Sequence, residues 1–68
     1  MIVYNNIIQR LADSGWTQYK LRKEKLIGSA TIRRIKKNQS ISTDTIDVIC
    51  KLCNCQPSDL MKYVKEDE

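Results

Sequence analysis

The chain has 68 residues, 12 of them Lys or Arg and 8 Asp or Glu, with no His, no Phe and a formal net charge of +4. A chain of this length builds one small core and leaves no room for a separate catalytic lobe. Two Gly and one Pro among many Ile, Leu and Val residues predict short packed helices rather than a loop-rich β fold, so the expected class is all-α, in one domain over residues 1–68. No apolar run approaches the roughly 20 residues of a membrane-spanning helix, and residues 1–4, Met-Ile-Val-Tyr, lack the basic start and long apolar stretch of a secretory leader. A cytoplasmic location with no membrane partner is expected.

Residues 1–4 form the one stretch of β-like composition, an arm that could pack on the core or pair with another subunit. A first helix is predicted over residues 6–14 from the helical spacing of Ile7, Ile8, Leu11 and Ala12, with Asn5 and Asn6 as candidate caps and Gly15 as its left-handed end. Thr17 is a good N-cap for a second helix of about two turns in which Leu21 faces inward. Residues 29–37 carry a third helix, with Ile32 and Ile35 inward and Arg33, Arg34, Lys36 and Lys37 outward. Ser42 caps a fourth over residues 43–53, where Ile46, Ile49, Cys50 and Cys53 recur at helical spacing and Asp44 and Asp47 lie near the positive N-terminal end. Pro57, Ser58 and Asp59 start a last helix with Leu60, Met61 and Val64, ahead of an acidic tail at residues 65–68. Ile7, Leu11, Leu21, Ile27, Ile32, Ile35, Ile46 and Ile49 are read as core.

Charge is concentrated in the middle of the chain. Residues 20–37 hold eight basic side chains against the single acid Glu24, a local net charge of +7 that leaves −3 for the remainder. A basic run alone is often only a solvated face. Here it falls on two short helices joined by a tight turn, the organisation of a helix-turn-helix, whose second helix fits the major groove. Double-stranded DNA is therefore the expected partner. An arginine fork can bond both major-groove acceptors of guanine, which makes Arg33 and Arg34 the most informative candidate readers. Adjacent helical positions point about 100° apart, so one of the pair is expected to read a base while the other lies against a strand.

Other chemistries find little support. Cys50, Cys53 and Cys55 form C-x-x-C-x-C, yet a structural zinc site needs a fourth ligand and the chain has no His and no further Cys, so free thiols and no metal or other cofactor are expected. Trp16 and Tyr19 are read as packing residues rather than a base-stacking pair. With no His, no Gly-rich phosphate loop and carboxylates confined to helix starts and the tail, no catalytic residues and no small-molecule substrate are expected.

Thr17-Gln18-Tyr19-Lys20-Leu21 and Ile27-Gly28-Ser29-Ala30-Thr31-Ile32-Arg33-Arg34-Ile35 resemble the Cro/repressor-type (Xre-like) helix-turn-helix domains of bacteria and their phages. Ser42-Thr43-Asp44-Thr45-Ile46 and Leu52-Cys53-Asn54-Cys55-Gln56-Pro57-Ser58-Asp59-Leu60 extend the resemblance to the fourth helix and the opening of the fifth. It implies a compact five-helix, lambda-repressor-like domain with the motif at helices two and three. Thr17 and Gln18 would then contact the DNA backbone, Ser29, Ala30, Thr31, Arg33 and Arg34 would face bases and nearby phosphates, and Lys36, Lys37, Asn38 and Ser40 would touch phosphate. By family position Arg34 is the favoured base reader. The chain departs from the family at Arg22, where a small residue is common, at Leu26, where Gly is common, and at Gly28, where Ser or Thr is common. A transcriptional regulator acting as a homodimer on a two-fold site is the implied function. The competing reading is a protein-interaction module of the same shape, an antitoxin-like or anti-repressor component using its basic face on an acidic partner.

Overall fold

Two of the helix starts in this chain are set by hydroxyl side chains that satisfy otherwise orphaned backbone N–H groups. In the computed structural model, which describes residues 1–65, the Thr17 hydroxyl accepts from the Lys20 N–H at 3.2 Å and the Ser42 hydroxyl from the Thr45 N–H at 3.2 Å. They open α2 (Gln18–Lys23) and α4 (Thr43–Cys53), as their sequence positions predict. α1 (Ile7–Asp13) starts after Asn6, whose side chain makes no capping bond, and α3 (Ser29–Lys36) after Gly28, which has no side chain to offer one.

Helix ends share a second device. Gly15, Lys25, Asn38 and Asn54, with φ between 53° and 89°, are left-handed residues that follow α1, α2, α3 and α4. After each comes a bond from the next residue's N–H back to a carbonyl five residues earlier: Trp16 to Leu11 at 2.7 Å, Leu26 to Leu21 at 3.0 Å, Gln39 to Arg34 at 2.8 Å and Cys55 to Cys50 at 3.1 Å. This closure satisfies carbonyls that the helix leaves open and reverses the chain within two residues. The left-handed residue of the α2–α3 turn is Lys25, so Leu26 needs no positive φ. A Cβ built on Gly15 would meet nothing within 4 Å, so Gly15→Ala isolates the backbone cost. It should destabilise by about 1 kcal/mol and lower Tm by about 4–8 °C in a thermal melt. Lys25→Gly should produce a smaller change of opposite sign.

The core is Ile7, Leu11, Leu21, Ile27, Ile32, Ile35, Ile49 and Leu60, each buried. Seven of the eight residues assigned to the core from sequence are among them; Ile46 packs on the cluster while half-buried, and Leu60 from the C-terminal segment completes it. Helices α1, α3 and α4 converge on this cluster.

The fold is mostly helical but not all-α. After Pro57, α5 lasts one turn (Pro57–Leu60), its start held by the Asp59 carboxylate accepting from the Gln56 N–H at 3.0 Å. The chain then straightens into β2 (Met61–Tyr63), so the predicted last helix does not extend to Met61 and Val64. β2 pairs antiparallel with β1 (Ile2–Tyr4) in the register Ile2 to Tyr63, Val3 to Lys62 and Tyr4 to Met61. The N-terminal arm thus pairs within its own chain. Met61 and Val64 sit at helical spacing from Leu60, but backbone pairing with Ile-Val-Tyr prevails. The expected acidic tail lies outside the described residues from position 66 on.

Candidate nucleic-acid interface

α2 and α3 meet across the turn at residues 24–28 with Leu21, Ile27, Ile32 and Ile35 sealed between them and the core. That burial fixes what faces outward. Gln18 and Arg22, one helical turn apart on α2, line a shallow groove with Ser29, Ile32, Arg33 and Lys36 of α3. Ile32 is its apolar floor, and Gln18, Arg22, Ser29, Arg33 and Lys36 supply polar and cationic walls. Arg22, singled out from sequence only as a departure from the family, belongs to this groove; its i, i+4 relation to Gln18 was the signal for it.

With successive residues about 100° apart on α3, Ala30 and Lys37 point directly away from buried Ile32 and Ile35. Arg33 flanks that line on the α2 side and Arg34 on the other; Ala30, Arg33, Arg34 and Lys37 are all exposed, and Thr31 is half-buried. A surface whose outermost line is a methyl group and an ammonium, with a guanidinium on each side, offers close approach together with hydrogen-bond donors. Thr17 is exposed and Gln18 half-buried at the positive N-terminal end of α2. Nearby, the Lys20 ammonium lies 4.7 Å from the centroid of the Trp16 ring, which is half-buried and packed on the core. Tyr19 is 67 % exposed, so its predicted packing role is not what the structure gives it.

Ser40 is exposed just beyond α3, but Asn38 is placed differently from its predicted partners. Its side-chain amide turns to β1, accepting from the Tyr4 N–H at 2.8 Å and donating to the Ile2 carbonyl at 2.9 Å. The partners lie more than thirty residues earlier in the chain, a distance over which sequence pattern carries no signal.

The cysteines stand apart from this surface, near the C-terminal end of α4. All three are free and half-buried. Burial, reinforced by the neighbouring Cys55 thiol, raises the Cys50 pKa, and burial raises that of Cys53 against an opposing hydrogen bond from Ser14. Both therefore stay protonated at neutral pH, a state of low nucleophilicity. Among the described residues no helix is long and apolar enough to cross a membrane.

No curated protein and no solved structure matches the chain. The family of Cro/C1-type HTH DNA-binding domains matches residues 6–66, a span that contains both helices of the groove, the turn between them and the whole core. By that match and by the two-helix geometry it covers, the chain belongs to the Cro/C1-type helix-turn-helix DNA-binding domain family.

Proposed function

We propose that the protein is a sequence-specific regulator of transcription that acts in the cytoplasm on double-stranded DNA, with α3 lying in the major groove. The observation that carries this reading is the sorting of α3: Ile32 and Ile35 are buried while Ala30, Arg33, Arg34, Lys36 and Lys37 are exposed, on an element no thicker than a single helix. Ser29, Ala30, Thr31, Arg33 and Arg34 face base edges and adjacent phosphates. Thr17 and Gln18 hold one strand from the start of α2, and Lys36, Lys37 and Ser40 approach phosphates beyond the reading turn, with the Asn38 side chain between them committed to β1. One short helix reads few base pairs, so a homodimer on a two-fold operator supplies the remaining specificity.

The test is selection of bound sequences from a random duplex pool, followed by a salt series on the winner. A recovered motif is expected, with affinity falling steeply as salt rises because each phosphate neutralised releases counterions. Binding without enrichment would reduce the protein to a non-specific DNA binder. No binding at low salt would favour an acidic protein as the partner of the basic face.

A further inference from the structure

The exit of α3 is bound to the N-terminal strand by three hydrogen bonds that the helix-turn-helix itself does not need. Asn38 ends α3 in the left-handed conformation, φ 56°, which Asn and Gly adopt more readily than other residues. Its amide then serves β1 as a surrogate strand. In the β1–β2 pairing, Val3 faces its partner Lys62, while the Ile2 carbonyl and Tyr4 N–H point to the opposite edge. There the Asn38 amide meets both, one as donor and one as acceptor, in the two-point pattern by which a neighbouring strand would satisfy them. The Tyr4 hydroxyl adds a third tie, donating to the Gln39 carbonyl at 2.5 Å. β1 is anchored on its other edge by β2, and just beyond it the Asn5 N–H donates to the carbonyl of Leu60, a core residue, at 2.7 Å.

We propose that Asn38 is a positioning residue for DNA recognition: by latching the end of α3 to β1 through Ile2 and Tyr4, it fixes the pose in which the basic loop at residues 36–40 meets phosphate. This rests on the reading of α3 as the DNA-facing helix. Residue type at position 38 is doubly constrained. Gly takes the backbone conformation but carries no amide; Gln carries the amide but one carbon further out, on a backbone it adopts poorly. A loop released from the latch samples several poses, and apparent affinity falls in proportion to the fraction that remains competent.

Asn38→Gly removes the amide without straining the backbone, and Tyr4→Phe removes the hydroxyl from a residue with no assigned DNA contact. Each should weaken duplex binding roughly three- to ten-fold, measured well below Tm, and the double variant should lose little more than the worse single because both act through one latch. Amide hydrogen exchange of Tyr4 in the free protein should accelerate in Asn38→Gly. Wild-type affinity in Tyr4→Phe, or unchanged Tyr4 exchange in Asn38→Gly, would overturn the proposal. Exchange needs no DNA, so a wild-type chain that binds no duplex would sink the functional reading while the latch is still decided by the Tyr4 amide.

Discussion

Arg34→Ala is expected to erase the preference at one base pair of the selected motif while leaving the rest of the motif in place. The affinity lost on the preferred sequence should be about 1–3 kcal/mol, that of a bidentate arginine–guanine contact, with little loss on sequences that lack the base. The geometry behind the choice is that Arg34 flanks the outermost line of α3 on the side away from α2, whereas Arg33 shares its groove with Arg22, Gln18 and Lys36. A guanidinium among other cations is the better neutraliser of phosphate. Arg33→Ala should therefore weaken all duplexes about equally and lower the salt slope by about one. Parallel selections with the two variants read this directly; a motif that changes with Arg33 and survives loss of Arg34 would exchange their roles.

Leu11→Ala should come close to unfolding the protein. Leu11 is fully buried, and its carbonyl also accepts the Trp16 N–H that closes α1. Removing a buried leucine side chain costs about 2–5 kcal/mol, between the transfer free energy and the cavity left behind. A domain of this size holds only about 3–10 kcal/mol of stability in total. Far-UV circular dichroism with temperature should show a Tm lowered by well over 10 °C, or no folded baseline at all. Ile46→Ala, at a half-buried position on the rim of the same cluster, should cost markedly less; equal losses at both sites would mean that burial does not rank the core as described.

Helices α1 to α4 were legible in the sequence because their signals are local. Thr17 and Ser42 act within three residues of themselves, Gly15 within one turn, and the spacing of Ile32 and Ile35 fixes the inward face of α3 without help from the rest of the chain. That locality is also why the basic face could be assigned to α3 from sequence alone. β2 was not legible, because Leu60, Met61 and Val64 keep a helical spacing and the strand exists only through a partner some sixty residues away. The amide of Asn38 hid its role for the same reason: residue type places it in a polar loop, whereas its bonds run to Ile2 and Tyr4.

The ribbon that joins the two ends of the chain also bears on the order of assembly. Its outermost bonds link Met1 and Val64, 63 residues apart, so closing it on a bare chain would cost about 4 kcal/mol in loop entropy, against a single turn for each helix end. Once α1, α3 and α4 have packed, the ends are already close and most of that cost has been met. The strands therefore zip up last on folding, onto helices that already hold their partners in place.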